Sequence, residues 1–288
     1  MMDARHLTKA IADPSYVLGL DAKRWAALLA MAEAEGLAGS LAWRLDGLPI
    51  PEAAAANLAK ARQAAEAQRE EALREAAAAS RALATLGKPV ILLNEAAFVA
   101  AGLDAARGIR VGNLDIMVPH EAADDVGAAV RRQGGPAPGL PIKVHCKALP
   151  VATDPQPLGK GLWTLSHEDM VVHAVAQSFA AGDLSRGLHD LWTVDRLIRE
   201  FSDKPDFWKR LHAASARQGM TRHLSRALRL AHHLFETPVD AWLAWEGRPG
   251  DVFYLGRLLA RNGDGQEIRK ILRFAFRIRA RWIDMLAR

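Results

Sequence analysis

Residues 88–147 hold most of the strand-like sequence in a chain whose other patterns are helical. The run Val90–Leu93 is continuously apolar, which is typical of a strand that is buried on both faces. The run Leu114–Val118 is apolar apart from one acid, and Ile142–Cys146 alternates apolar and polar residues. Three short strands among helices predict an α+β fold class, with a small mixed sheet at its centre.

Helical patterns precede and follow this stretch. Before it we expect a helix over Ala22–Glu35 that stops at Gly36, and one long helix from Glu52 to about Leu86, which is rich in alanine and has no Gly or Pro. Within residues 88–147 we expect helices over Glu95–Gly102 and Glu121–Gln133. After it we expect a loop over Pro150–Gly161 and then only helices, at Glu168–Ala181 (begun by Ser166), Gly187–Glu200, Pro205–Gln218, Met220–Phe235, Val252–Arg261 and Gln266–Ala287.

These patterns divide the chain into three predicted units. They are an N-terminal helical region over 1–87, an α/β core over 88–150 and a C-terminal helical domain over 151–288. A chain of 288 residues, half of them hydrophobic and a quarter charged, can bury a substantial core. The sequence contains no long uncharged apolar stretch, so we predict no membrane span. The N-terminus does not resemble a signal peptide. The single cysteine, Cys146, excludes an internal disulfide and a multi-cysteine zinc site, so we expect a cytoplasmic protein.

The net charge of +5 is concentrated near the C-terminus. A basic segment can bind nucleic acid or an anionic membrane surface. We expect instead a terminal helix with a solvated basic face, because charge runs are usually solvated, and we do not expect a nucleic-acid partner. The residues that we expect to face inward are Ile271, Leu272, Ala275, Trp282, Ile283 and Leu286.

The sequence Gly112-Asn113-Leu114-Asp115 leads into the second strand. Residues two apart on a strand point to the same face, so Asn113 and Asp115 present an amide and a carboxylate side by side. Two acids at this spacing would form a metal-binding edge. Here one of the two side chains is neutral.

The run VILLNEAAF…RVGNLDIMV…IKVHCKAL resembles the core of uncharacterised bacterial nucleotidyltransferase-like proteins in the polymerase-β-type superfamily. Their pattern is roughly LLKG-A, then R-x-x-GDIDLLV, then V-E-L-H. The helical segments LSHEDMVVHAVAQSF, LHDLWTVDRLI and DFWKRLHAASARQGMTRHLSRALRLAHHLF are similar to that family's C-terminal helices, so the resemblance covers about Lys88 to Asp240. It implies transfer of a nucleotidyl group from a nucleoside triphosphate to a hydroxyl, with two Mg²⁺ ions held by carboxylates on adjacent strands.

This chain departs from the family pattern at the critical positions. Asn113 stands at the first acid, Asp115 keeps the second, and Lys143 stands where the third acid is expected. Asn94 and Glu95 replace the Lys-Gly pair before the first helix of the core, whereas Arg110 and His145 are kept. The resemblance therefore implies a catalytic set of Asp115, Asn113 and Lys143, with Asp115 as the one metal candidate. The implied ligand-binding residues are Asn94, Glu95, Arg110, Gly112 and His145.

Two functional hypotheses follow from these departures. In the first, the protein is a divergent relative with a depleted metal site, which binds a nucleotide, a small ligand or a partner protein with weak or no transfer activity. In the second, it is an active Mg²⁺-dependent enzyme that uses Asp115 and another acid, such as Glu95, to move a nucleotide to a small-molecule or protein hydroxyl. Asp115 could instead pair with Arg110 or Lys143, and Lys143 could contact a phosphate directly. For the polar patch of His189, Asp190 and Asp195 we expect a role in helix packing.

Overall fold

A computed structural model describes residues 3–84, 90–118, 141–145, 155–180, 184, 186–244, 250–268 and 271–278. It confirms the α+β class, because a five-stranded mixed sheet lies among many helices. The predicted helix Glu121–Gln133, Cys146, and the expected inward residues Trp282, Ile283 and Leu286 lie outside the described residues.

The sheet has the strand order β3-β2-β1-β5-β4. Its strands are β1 (Val90–Leu92), β2 (Leu114–Met117), β3 (Ile142–His145), β4 (Gln156–Gly159) and β5 (Leu162–Thr164). The central strand β1 is antiparallel to β2 and parallel to β5, while β2 and β3 run parallel. The burial of all three residues of β1 explains its purely apolar sequence.

The loop that we predict over Pro150–Gly161 is wrong in part. Residues 156–164 form the antiparallel hairpin of β4 and β5, which completes the sheet beyond residue 150. The turn between these strands places Gly159, Lys160 and Gly161 at positive φ. The division of the chain into three units stays a prediction, but the sheet itself takes strands from both sides of our boundary at residue 150.

The N-terminal helices are α1 (Arg5–Ala12), α2 (Ala22–Ala34), α3 (Ala38–Arg44) and α4 (Glu52–Ala84), with a 3-10 turn at Pro14–Gly19. Gly36, at φ +70°, follows the end of α2 as predicted. The long helix α4 is held to the core by a narrow stripe of small and aliphatic side chains, because its buried apolar residues are Ala54, Leu58, Ala65, Ala72, Ala76, Ala79 and Leu83.

The remaining helices follow the predicted order, except that the short helix Ala241–Ala244 was not predicted and that residues 266–268, predicted to begin the C-terminal helix, are not helical. They are α5 (Asn94–Ala100) after β1, then α6 (His167–Val175) with a π-helical turn at Ala176–Ala180, α7 (Gly187–Phe201), α8 (Phe207–Arg217), α9 (Thr221–Phe235), α10 (Ala241–Ala244), α11 (Asp251–Leu258) and α12 (residues 271–278). Ser166 caps α6 as predicted, since its Oγ accepts a hydrogen bond from the backbone N–H of Asp169. None of the helices in the described ranges combines the length and apolarity that a bilayer span requires.

The predicted inward face of the C-terminal helix is wrong for two residues. Ile271 is 87% exposed and Ala275 is also exposed, whereas Leu272 packs against the core as expected. The residue that α12 buries is Phe276, whose ring lies 5.2 Å from that of Tyr254 on α11. The helix therefore packs through Leu272 and Phe276, which share one side of it.

The N-terminal helices contact the loop before β2 through two glycines. A Cβ at Gly39 would lie 2.2 Å from the carbonyl oxygen of Gly108, and one at Gly108, whose φ is +72°, would lie 2.3 Å from that of Gly39. Arg107 stacks on Trp43 beside this contact, with its guanidinium carbon 4.1 Å from the ring centroid. Backbone-to-backbone packing at this point leaves no room for any side chain.

Two buried carboxylates join distant parts of the chain. Asp195 on α7 is fully buried, and its carboxylate accepts hydrogen bonds from Arg196, Arg199 and the hydroxyl of Thr237. Its contacts are those of a residue that orders helix packing, as we expect. Glu35, after α2, pairs with Arg261, which follows α11. Burial raises the pKa of Glu35 even though this guanidinium lies beside it.

Candidate functional site

The adjacent strands β2 and β3 bring the predicted residues together. Because these strands are parallel and in register, Asp115 lies opposite Lys143 and Met117 lies opposite His145. Asn113 immediately precedes β2. The side chains of Asn113, Asp115, Lys143 and His145 all line one cavity of about 350 Å³.

The partner of Asp115 is His145. Its Oδ1 lies 2.7 Å from Nε2 of the imidazole, and the Asp115 side chain is buried while that of His145 is about one-third exposed. The alternative that Asp115 pairs with Arg110 or Lys143 is therefore wrong. The carboxylate holds the imidazole by one nitrogen, so the ring is fixed at the wall of the cavity.

Lys143 binds the amide instead of the acid. In the orientation of the Asn113 amide that satisfies its neighbours, Oδ1 accepts a hydrogen bond from Nζ of Lys143 at 3.0 Å and Nδ2 donates to the carbonyl of Gly112 at 3.3 Å. Among the described residues, Lys143 has no carboxylate within 4 Å. No ion pair within the described ranges therefore neutralises its charge at the edge of the cavity.

The beginning of α5 forms another wall. Asn94 has φ +52°, a left-handed conformation that favours glycine and that asparagine tolerates better than most residues. The backbone N–H of the preceding residue, Leu93, donates to the carbonyl of Asp115 at 2.9 Å. Asn94, the first residue of the pair that replaces Lys-Gly, therefore takes up the left-handed conformation and adds a side chain that lines the cavity.

Sequence reasoning missed Arg186, which lies opposite these strands at the beginning of α7. Its Nη2 donates to Oε1 of Glu95 at 2.9 Å, and its Nε lies 4.0 Å from Oδ1 of Asp190. Burial alone would lower the pKa of the Arg186 guanidinium, but the two carboxylates outweigh burial and raise it. The only signal in the sequence was the polar cluster at 186–190, just before an apolar helical run.

The π-helical turn after α6 supplies Gln177 and Ser178 to the same cavity. One turn earlier, the Nδ1 atom of His173 is shielded from solvent and has no hydrogen-bond partner. Burial, together with the nearby charge of His145, lowers the pKa of His173 to about 4. His173 is thus a neutral imidazole near the Asp115–His145 pair. No sequence motif marks it.

Two predicted ligand-binding residues do not join this group. Arg110 lies instead in a separate groove of about 820 Å³ between α2, α3 and α4, where its Nη1 is 3.4 Å from Oε1 of Glu33. Gly112 does not line the cavity, and only its carbonyl contacts the site, through Asn113. The structure therefore brings together six of the eight predicted residues.

The donor set does not fit the Mg²⁺ ions that the family resemblance implies. Magnesium requires oxygen ligands, usually carboxylates with phosphate and water. Here the Asp115 carboxylate binds an imidazole, the Asn113 oxygen binds an ammonium, and Glu95 binds a guanidinium. No group of three or more His, Cys, Asp or Glu side chains suited to a metal ion occurs in the described part of the chain.

Comparison with known proteins bears on the family. A family model described as an uncharacterised nucleotidyltransferase matches residues 21–139 and 146–236, which is more than half of the chain. This match begins at α2, whereas the resemblance noted in the sequence begins only at Lys88. The family pattern therefore includes N-terminal helices. No curated protein and no solved structure matches the chain. Because this family model matches most of the chain, the protein belongs to the uncharacterised nucleotidyltransferase family.

Proposed function

We propose that this protein binds a nucleotide in the cavity around Asp115 through the ammonium of Lys143 in place of Mg²⁺, with weak or no nucleotidyl transfer. The observation that carries the proposal is the hydrogen bond of Lys143 to the neutral Asn113 amide, together with the absence of a carboxylate partner for the ammonium in the part of the chain that the structure describes. A compact ammonium can contact a phosphate group directly. We also propose a cytoplasmic location, in keeping with the single cysteine.

The other polar groups of the cavity have roles that agree with ligand binding. Asp115 fixes the ring of His145, which can hydrogen-bond a bound nucleotide through its second nitrogen. Arg186 has its charge balanced by Glu95 and Asp190, so it orders the opposite wall. The volume of about 350 Å³ is at the small end of the range for ligand pockets, and it suits the phosphates and sugar better than a whole nucleotide.

The test is nucleotide binding with and without metal. We would measure the unfolding temperature and the binding isotherm with ATP, CTP, GTP and UTP, each in excess Mg²⁺ and in EDTA. We expect at least one nucleotide to raise the unfolding temperature by several degrees in EDTA. Lys143→Gln should abolish this shift. The control Lys23→Gln removes an exposed lysine that does not line the cavity, and it should leave the shift unchanged.

One observation favours an active enzyme as a second candidate. Glu95 and Asp190 line the same cavity as Asp115, so release of Arg186 could bring further carboxylates to a metal. In that case nucleotide binding would require Mg²⁺ and would be abolished by Asp115→Ala, with Lys143→Gln having little effect. This result would overturn the metal-independent proposal, as would the absence of binding by all four nucleotides.

A further inference from the structure

The helix α12 exposes an apolar face to solvent. We call this the outer face, and it consists of Ile271, Phe274, Ala275 and Ile278. Ile271 is 87% exposed, Phe274 is 64% exposed and Ile278 is 41% exposed. At about 100° per residue, these four positions fall within an arc of roughly 100° on one side of the helix. Large apolar side chains concentrated in this way usually mark an interaction surface.

The outer face is exposed because the helix is held by its other side. Phe276 is buried with its ring against Tyr254, and Leu272 packs on the core. The helix α11, to which Tyr254 belongs, exposes two further large apolar residues, with Val252 at 72% and Phe253 at 63%. Two packed helices thus expose five large apolar side chains.

Basic residues accompany the outer face. Residues 266–288 contain seven Lys and Arg but only two Asp and Glu, so their net charge of +5 equals that of the whole chain. On α12 itself, Arg273 and Arg277 lie between the outer face and the buried side. Arg273 pairs with Glu267, whereas Arg277 is exposed and has no ion pair within the described residues. A cation therefore borders the apolar surface.

We propose that the outer face of α12 binds the surface of an anionic lipid bilayer, with its apolar side chains at the level of the headgroups and its arginines on the lipid phosphates. An amphipathic helix with Phe and Ile on one face and basic residues beside them has the composition of a helix that lies in a membrane interface. Each basic residue near an anionic leaflet adds favourable electrostatic energy. A nucleic-acid interface explains the arginines but leaves Ile271, Phe274 and Ile278 without a role, because phosphate groups gain nothing from aliphatic contact.

The test uses the full chain and sedimentation with lipid vesicles. We would compare vesicles of phosphatidylcholine alone with vesicles that also contain phosphatidylserine. We expect binding to the anionic vesicles only, weakening as salt is added because salt screens the charges. The double variant Phe274→Ser/Ile278→Ser should bind at least about tenfold more weakly, since it loses the burial of two large apolar side chains. Arg277→Glu should also weaken binding.

Matched controls distinguish vesicle binding by the outer face from nonspecific binding. Leu18→Ser/Leu73→Ser removes two other exposed leucines, which are 54% and 39% exposed, and Lys23→Glu reverses a charge elsewhere. Both should leave vesicle binding unchanged, and all variants should keep the unfolding temperature of the parent.

Three results would overturn the proposal. The first is no sedimentation with anionic vesicles. The second is a concentration-dependent dimer that Phe274→Ser/Ile278→Ser disperses, which would assign the outer face to a second copy of the chain. The third is binding to an oligonucleotide that Arg277→Glu weakens and Phe274→Ser/Ile278→Ser does not.

Discussion

Lys143 shows most clearly how the polar side chains of the site pair with one another. On the sheet it lies opposite Asp115, yet it hydrogen-bonds Asn113, and Asp115 binds His145. The sequence alone predicted that these side chains share one face, since alternation along a strand is a local property. It did not predict which of them pair, because partner choice depends on side-chain rotamers and on the distance between strands.

Restoring the acids that the family pattern carries should create a magnesium site. Asn113→Asp/Lys143→Glu replaces an amide and an ammonium by two carboxylates beside Asp115, which is the ligand chemistry that Mg²⁺ requires. We expect Mg²⁺ at about a hundred times its dissociation constant to raise the free energy of unfolding by about 3 kcal/mol, measured by urea denaturation. Adding Asp115→Ala should remove the effect. A double variant that ignores Mg²⁺ would mean that the site lies elsewhere.

His173 should make stability depend on pH. Its pKa is about 4 in the folded protein and near 6.5 when it is exposed, so the unfolded chain binds the extra proton between these values. The free energy of unfolding therefore has its full value above about pH 6.5. It falls by up to about 3 kcal/mol as the pH drops to about 4. His173→Gln should lose this dependence in urea denaturation across that range. The variant His233→Gln, at an exposed histidine, should retain it.

At the scale of elements, the hairpin of β4 and β5 shows where sequence patterns fail. The strand β4 reads Gln-Pro-Leu-Gly, and Pro and Gly are both disfavoured in strands. The structure accommodates them because β4 is an edge strand, where a missing N–H donor costs little. The helices were predicted well, because their periodic apolar patterns and caps are local. The exposure of Ile271 and Ala275 on α12 was not predicted. A 3.6-residue period identifies an amphipathic helix, but it does not say which of two apolar sides packs against the core.

The contact between α3 and the loop before β2 should be intolerant of any Cβ. In Gly108→Ala the new methyl group would lie 2.3 Å from the Gly39 carbonyl, at a φ of +72°. We expect a loss of at least about 3 kcal/mol in the free energy of unfolding, measured by urea denaturation. Gly47→Ala is the matched control, since Gly47 has φ +78° but no atom within 4 Å of the new Cβ. It should cost only about 1 kcal/mol, the strain of the backbone alone. Equal losses would show that crowding contributes nothing.

At the scale of the whole molecule, the helix α2 contacts the segment that follows α11. Arg261 pairs with Glu35, and a Cβ at Gly265 would lie 2.6 Å from the carbonyl of Ala30 on α2. The sequence gives no hint of this contact, because an ion pair between residues 226 positions apart has no local signature. Such a contact limits how far the C-terminal helices can move relative to α2.

Removing one partner of this buried pair should be costly. Arg261→Met leaves the Glu35 carboxylate buried without its counter-charge, and we expect a loss of about 3–5 kcal/mol in urea denaturation. Because the folded pKa of Glu35 is already raised and would rise further, the variant should lose stability as the pH increases above about 4.5, the usual value for glutamate. Arg261→Met/Glu35→Gln should lose less and show no such slope. Equal losses in the single and double variants would contradict a coupling between the two residues.

The position of β1 has a consequence for how the molecule assembles. This strand takes hydrogen bonds from β2 on one side and from β5 on the other, although β5 begins about seventy positions further along the chain. During synthesis, the side of β1 that pairs with β5 stays open until residue 164 has left the ribosome, and an open strand edge is a place where chains associate wrongly. A fragment that stops at residue 150 would keep Asp115 and Lys143 while leaving the middle of its sheet half-paired. We therefore expect the cavity around Asp115 and the completed sheet to form in the same cooperative step.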